Sequence, residues 1–381
     1  MKTFILSVFL IVSVTNIGSA QVENVSVNSR ILEGSREIKV QLPRNYDFNN
    51  KRTYPLIFVF DGHYLFEPVA GIVDYLSYWD EIPESFVVGI NQSGSRISDG
   101  KFDKNDFLPI GSGAMFFDFI QLEVMKYLKE NYNIGEFSVV VGHDYMANFA
   151  NFYLFSKKTE FQGYINLSPD IPEDFMPYIK DNLELSKDKL WYSLSTAKDD
   201  VPFLQEKTKK LSELISEVEN KMITTSYKMF ETGNHYTFVV NALPFNLMEI
   251  FSPYRPIDNT EYILLSEAED PNDYLIKKYE QINELYDLEE KIRIGDIIKV
   301  NKLIKEKETW ELYKDLARIA KENHPETLLY DYFLGRYFQK IGQPKRAIKA
   351  YQSAYSYEEA GGITKDMAIE EANRLKDIFG Y

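Results

Sequence analysis

Ser138-Val139-Val140-Val141-Gly142-His143-Asp144-Tyr145-Met146-Ala147 is the stretch that decides how this chain folds. Val139–Val141 is a continuous β-branched run of the kind buried on both faces of a parallel sheet. Gly142 allows a sharp turn, and Met146–Phe155 reads as a helix. A strand that passes through a tight turn into a helix lifts one side chain, here Asp144, above the carboxyl edge of the sheet. The helix then aims its free N–H groups at the same point. A plainer reading stands beside this one, a turn whose aspartate caps the next helix.

The flanking pattern supports the strand–turn–helix reading. Ile38–Leu42, Pro55–Phe60, Ser85–Ile90, Phe137–Val141, Gly163–Leu167, Leu190–Leu194 and Ile223–Phe230 read as strands. Helical patterns fall between them at Met115–Glu130, Met146–Phe155, Pro202–Glu219 and Tyr236–Phe251. Such alternation implies a mostly parallel sheet covered by helices on both sides. Ligands of sheets like this bind at the carboxyl ends of the strands.

Two further pieces fall at such ends. Glu231-Thr-Gly233-Asn234-His235-Tyr236 follows the last strand, where a histidine can act as general base. Lys198-Asp199-Asp200-Val201-Pro202 follows the strand before it. Asp200, or failing it Asp199, is the candidate acid that orients His235, and one of the pair also suits the N-cap of the helix opening at Pro202. The order nucleophile, acid, histidine is that of the α/β-hydrolase triad. A metal reading, in which His143, Asp144, His235 and Asp200 converge, lacks metal-motif spacing, and neither metal nor cofactor is expected.

Further residues carry a family likeness. Arg36–Pro43 followed by Tyr54-Pro-Leu-Ile-Phe-Val-Phe-Asp61-Gly62-His63, then Val87-Val-Gly-Ile90 with Arg96, resemble the opening of the Putative esterase family. That family includes the esterase D-like and siderophore-esterase-like enzymes. Gly113-Ala114, Phe117, Phe119 and Glu123 are similar to its helix before the elbow, and Ile165-Asn-Leu-Ser168-Pro169 to the strand after it. The resemblance covers roughly residues 35–251. It implies an α/β-hydrolase sandwich that cleaves carboxylic esters with a Ser-His-acid triad. Its oxyanion donors, carried over, are the backbone N–H groups of His63 and Tyr145. The chain departs from the Gly-x-Ser-x-Gly elbow twice, with Asp144 for serine and Met146 for the second glycine.

The first departure changes the chemistry. Serine is neutral until histidine takes its proton, and the oxyanion hole then holds the tetrahedral charge. A carboxylate is ionised near neutral pH and sets a fixed anion beside the spot where the oxyanion must form. Loss of one oxyanion donor costs about 3 kcal/mol, and a neighbouring anion costs at least as much. Ordinary esterase turnover is therefore not expected. Two readings remain. Asp144 could be a nucleophile toward saturated carbon, as in epoxide hydrolases and haloalkane dehalogenases of this fold, with His235 activating water. Those enzymes carry a helical cap, and Pro169–Leu190 has room for about one helix. Alternatively the site is catalytically silent and the fold serves as a binding or scaffold module.

The ends and the composition complete the reading. Lys2, the apolar run Phe4–Val14 and Gly18-Ser19-Ala20 form a signal peptide over residues 1–20. Export to periplasm or medium is expected, with no membrane span after cleavage, because the run is shorter than the roughly 20 residues a bilayer needs. The remaining 381 − 20 = 361 residues suggest two domains. Net charge is −15, or −16 without Lys2, and no basic stripe offsets it, so nucleic-acid binding by counterion release is excluded. With no cysteine there is no disulfide framework. The α/β-hydrolase domain is read over residues 21–251. Ser252–Asn259, with two prolines, reads as a linker, and residues 252–381 as a helical region. Within it Leu334, Gly335, Phe338, Gly342, Ala347, Tyr351 and Ala354 have the spacing of one tetratricopeptide repeat, about 328–361. One repeat cannot bury its own face. It is expected to pack on Trp310–Glu322 and Asp366–Phe379 as a docked helical cap, or to offer a surface for self-association or a protein partner. A small ester-like molecule is the ligand class that the hydrolase likeness implies.

Overall fold

A computed structural model describes residues 22–156 and 160–380. The expected signal peptide lies outside these residues. Eight strands form one sheet in the order β1-β2-β4-β3-β5-β6-β7-β8. They are β1 (Val22–Ser29), β2 (Gly34–Gln41), β3 (Tyr54–Val59), β4 (Phe86–Ile90), β5 (Ile134–His143), β6 (Gly163–Leu167), β7 (Leu190–Asp199) and β8 (Ile223–Asn234). The pairings from β4 to β8 are parallel, and only the β1–β2 and β2–β4 pairings are antiparallel. Every residue of β3, β4 and β6 is buried, which explains why those segments are unbroken apolar runs rather than alternating ones.

Two elements lie beyond the sequence reading. β1 forms a hairpin with β2 and continues the sheet past its expected edge. Its signal is the alternation Val25-Ser-Val27-Asn-Ser29, in which Val27 and Ser29 face inward. The helix α1 (Gly62–Tyr78) follows β3 and buries Leu65, Phe66, Val69, Ala70, Val73 and Leu76, a helical period that contains Pro68. After β4 come α2 (Arg96–Asp99), α3 (Ser112–Asp118) and α4 (Met125–Asn131), the last two joined by a π-helical turn at Phe119–Val124. α5 (Tyr145–Ala150) leaves the end of β5 and α6 (Met176–Leu185) is the helix between β6 and β7. α7 (Pro202–Ile215) and α8 (Val239–Ile250) flank β8. α8 starts later than its sequence pattern, because Asn234–Phe238 forms a turn in which the Asn234 carboxamide accepts the N–H groups of Tyr236 and Thr237.

From Asn259 onward the regular elements are helices: α9 (Asn259–Glu267), α10 (Pro271–Tyr286), α11 (Ile294–Lys307), α12 (Tyr313–Asn323), α13 (Leu329–Lys340), α14 (Pro344–Ala354) and α15 (Lys365–Phe379). α13 and α14 pack as a hairpin between α12 and α15. Gly335 is needed there, since a Cβ on it would lie 2.5 Å from the Tyr351 ring.

The helices have no core of their own. One buried apolar cluster runs from Val139 and Trp191 under the sheet, through Phe251 and Tyr286, to Tyr351 and Leu375. α10 makes the junction. Its last residue, Tyr286, packs edge-on against Phe137 at 4.8 Å and donates its hydroxyl to the Ile250 carbonyl at 2.8 Å. The following Asp287 accepts the Glu136 N–H at 3.0 Å and, through its carbonyl, the Thr53 hydroxyl at 2.8 Å. Arg52 pairs with Glu290 at 2.6 Å. Thr53 precedes β3 and Glu136 is near the start of β5, so this docking occupies the amino end of the sheet. Asp144 stands past the other end of β5.

Tyr286→Ala should lower the unfolding free energy by about 3–5 kcal/mol, the range for truncating a buried ring. Urea unfolding measures it, and a loss under about 1 kcal/mol would contradict the junction.

Candidate functional site

The elbow is built by close packing. Gly142 has no room for a side chain, because a Cβ would stand 2.6 Å from the Ala147 Cα. Strand and helix can then approach, and Asp144 is forced to φ 55° and ψ −124°, a strained conformation for a residue with a Cβ. Met146 does not disturb this. Its side chain is fully buried below the elbow, with its sulfur 3.7 Å from Gln92 Nε2.

Asp144 is not joined to His235 by any hydrogen bond among the described residues. Its carboxylate is paired with Arg96 instead, Nη2 to Oδ2 at 3.3 Å. Arg96 arrives on α2 and is held from behind. Its Nε lies 2.9 Å from both oxygens of the fully buried Asp61, and its Nη2 also donates to the His143 carbonyl at 3.2 Å. Burial raises the Asp61 carboxyl pKa and Arg96 opposes that shift only in part. For Arg96, burial works against the charge, yet Asp61 outweighs it and the guanidinium stays above its ordinary range. Gln92 accepts the Asp61 N–H at 2.8 Å and donates to Asp99, which pairs with Arg36 at 3.0 Å. A continuous polar network therefore runs beneath the elbow.

His235 has its own partner. Its Nδ1 lies 2.8 Å from Asp200 Oδ1. Burial pushes the Asp200 carboxyl up, but hydrogen bonds from His235, the Thr196 hydroxyl and the Val201 N–H overcome it and hold the group at about 2. Asp199 is exposed, with its backbone paired to Asn234, and does not reach the imidazole. The acid and the base expected from the sequence thus meet, and the link from that pair to Asp144 is the part the structure does not make. His63 and Tyr145 occupy the first turns of α1 and α5, where amides lack an intrahelical acceptor, and neither N–H has a hydrogen-bond acceptor among the described residues.

Two residues matter here whose part the sequence did not indicate. Tyr64 sets its hydroxyl 3.1 Å from Asp61 Oδ2 and 3.0 Å from His143 Nδ1, sharing one proton between them. His143 lies under the site, its Nε2 donating to the His235 carbonyl at 3.1 Å and its ring 4.5 Å from the His235 ring. Burial, and then the neighbouring His235, lower its pKa to about 3, so it is neutral at pH 7. It props His235 from below. Among the described residues no group of three or more metal-ligating side chains could hold a metal ion, and no helix is long and apolar enough to cross a membrane. A groove of about 930 Å³ opens beside the elbow, lined by Arg96, Lys101, Phe102, Tyr145 and Asp170 among others.

Comparison with known proteins follows the same outline. Residues 29–208 match the family model described as Putative esterase. The crystal structure of an uncharacterised protein from Capnocytophaga ochracea DSM 7271 superposes with a TM-score of 0.83 at 25% identity, covering 94% of this chain and 100% of that one. The helical region is therefore part of that likeness. An IroE-like serine hydrolase from Shewanella oneidensis gives 0.60 at 16% identity, covering 79% of this chain and 99% of its own. The BES protein from Bacillus cereus gives 0.53 at 19%, covering 67% and 100%. The last two share the fold. None of the curated proteins matches the chain.

The neutral His143 makes stability depend on pH. The same imidazole in the unfolded chain protonates near 6.5, whereas in the fold it resists down to about 3. The unfolded state binds the proton first, so stability falls as pH drops through that window, by about 5 kcal/mol in all. The Asp200 contribution is still present there and is lost only between about pH 4 and its own value near 2. His143→Gln should flatten the curve between pH 6.5 and pH 4, measured by urea unfolding at each pH. An unchanged slope would mean His143 is not held neutral.

Proposed function

We propose that this chain, which belongs to the Putative esterase family through residues 29–208, is a secreted α/β-hydrolase-fold protein that binds a small ligand without turning over ordinary esters. Asp144 takes the place of the nucleophilic serine. One observation carries this reading: the Asp144 carboxylate is paired with Arg96, and among the described residues no hydrogen bond joins it to His235. Ester attack needs a neutral hydroxyl whose proton passes to the histidine. Asp144 offers a carboxylate paired with Arg96 in place of that hydroxyl, and the family likeness puts the oxyanion donors at the N–H groups of His63 and Tyr145. The signal sequence at residues 1–20 supports secretion. The α13–α14 hairpin, with its repeat-like spacing, supports a tetratricopeptide-like unit that stiffens the amino end of the sheet or meets a partner.

A second reading rests on the retained dyad. His235 and Asp200 stand 2.8 Å apart with Asp200 held anionic, the arrangement that activates water against an ester formed on an aspartate. Against it stands the position of the helices. α6 is the one regular α-helix between β6 and β7, and α9–α15 gather at the far end of the sheet, so neither supplies a broad cap over Asp144.

The natural protein should hydrolyse 4-nitrophenyl acetate near background, and Asp144→Ser should raise the rate at least about tenfold, while Asp144→Ala stays at background. Brisk cleavage by the natural protein with Asp144→Ala equally active would overturn the reading. Release of halide or opening of an epoxide by the natural protein, abolished in Asp144→Asn, would establish the second reading in its place.

A further inference from the structure

A second cavity, of about 490 Å³, lies among α3, the turn after α5, and α6, with the 106–109 loop as its remaining wall. Neither Asp144 nor His235 lines it. Phe102 separates the two regions, with its ring 6.3 Å from Tyr145 and 5.8 Å from Phe152. The walls are aromatic: Phe107, Phe117, Phe152, Phe155, Phe175 and Tyr178. Phe175 is the centre of the set, 5.3 Å from Phe107, 5.7 Å from Phe152 and 5.4 Å from Phe155. Its volume falls within the range of small-molecule sites, about 300–1,000 Å³.

Two features distinguish this cavity from a packing flaw. Phe107 sits at φ +56°, in the left-handed region that a bulky side chain avoids. That conformation turns its ring into the stack with Phe175, and such strain persists only where the surroundings impose it. The second feature is the Ser156 hydroxyl. It lines the cavity, is buried from solvent, and has no hydrogen-bond partner among the described residues. A buried hydroxyl without a partner loses free energy that a ligand can restore.

We propose that this cavity is a binding site for a small, uncharged, planar aromatic molecule carrying one hydroxyl-type polar group that meets Ser156. Among the described residues the lining contains no lysine, arginine or histidine, and Asp106 is its one carboxylate, so none of them offers an anion a cation to pair with. Among the described residues, Asp106, Gln121 and Ser156 alone offer hydrogen bonds apart from the Tyr178 phenol and the backbone, too few for a sugar. Flat rings stack on the walls as the walls stack on each other. The site holds whether or not Asp144 takes part in chemistry.

The test uses the full mature chain and the fluorescent amine N-phenyl-1-naphthylamine, displaced by 1-naphthol or by naphthalene. Saturable binding at one site is expected, with 1-naphthol displacing the probe about fivefold better than naphthalene. Ser156→Ala should erase that preference. Leu108→Asp, at an exposed position on the rim, should weaken both competitors about tenfold without changing the melting temperature, and Tyr178→Asp serves should that variant not fold. Ile263→Asp, equally exposed on α9, should change nothing. Probe binding that does not saturate, that ignores the rim substitution, or that responds as much to Ile263→Asp overturns the proposal, as does a hydroxyl preference that survives Ser156→Ala.

Discussion

Arg96 reaches three acceptors on two elements, and the carboxyl end of the sheet is organised around it. Asp61 takes its Nε with both carboxylate oxygens, while the His143 carbonyl and the Asp144 carboxylate share its Nη2. Removing one partner of a buried pair leaves an uncompensated charge, at a cost of about 3–5 kcal/mol, so Asp61 and Arg96 are bound to each other by more than their attraction. The third contact is what distinguishes this site. A serine at residue 144 would leave that corner of the guanidinium open. The aspartate fills it, and in doing so is held by the ion pair instead of by His235.

Asp144 and the His235–Asp200 pair thus have different partners, Asp144 in an ion pair with Arg96 and His235 in a hydrogen bond to Asp200. The elbow has a strained backbone, the amides of His63 and Tyr145 have no acceptor among the described residues, and the His235–Asp200 pair is formed. Tyr64 and the neutral His143 brace the site from below. Among the described residues no hydroxyl or carboxylate other than Asp200 is hydrogen-bonded to the His235 ring. At the opposite end of the sheet, Tyr286 and Asp287 anchor the helices through the starts of β3 and β5. The helical region therefore extends the hydrophobic core and cannot close over Asp144.

Much of this architecture is legible in the chain, and the reason is locality. The elbow shows itself because a valine run, a glycine where any Cβ would stand 2.6 Å from a helix Cα and a helical period are adjacent. The His235–Asp200 meeting is also legible, since each follows a strand of a parallel sheet whose carboxyl ends gather in one place. β1 is harder to see, because a hairpin at the sheet edge carries only a brief alternation. α1 is obscured by Pro68. The role of Arg96 cannot be read locally at all: it lies 48 residues before Asp144, and family likeness marks the residue without saying what its free N–H will meet. The pairing of Asp144 with Arg96, and not with His235, rests on that long-range contact.

A pair of double-mutant cycles tests that separation most directly. Unfolding free energies of Asp144→Asn, Arg96→Met and the combined variant yield the coupling of Asp144 to Arg96, and the same cycle with His235→Gln yields its coupling to His235. The Arg96 cycle should give a coupling of about 1 kcal/mol or more, and the His235 cycle a value within about 0.5 kcal/mol of zero. The reverse order, with Asp144 coupled to His235 and indifferent to Arg96, would mean that the triad is assembled and that the aspartate is poised for chemistry.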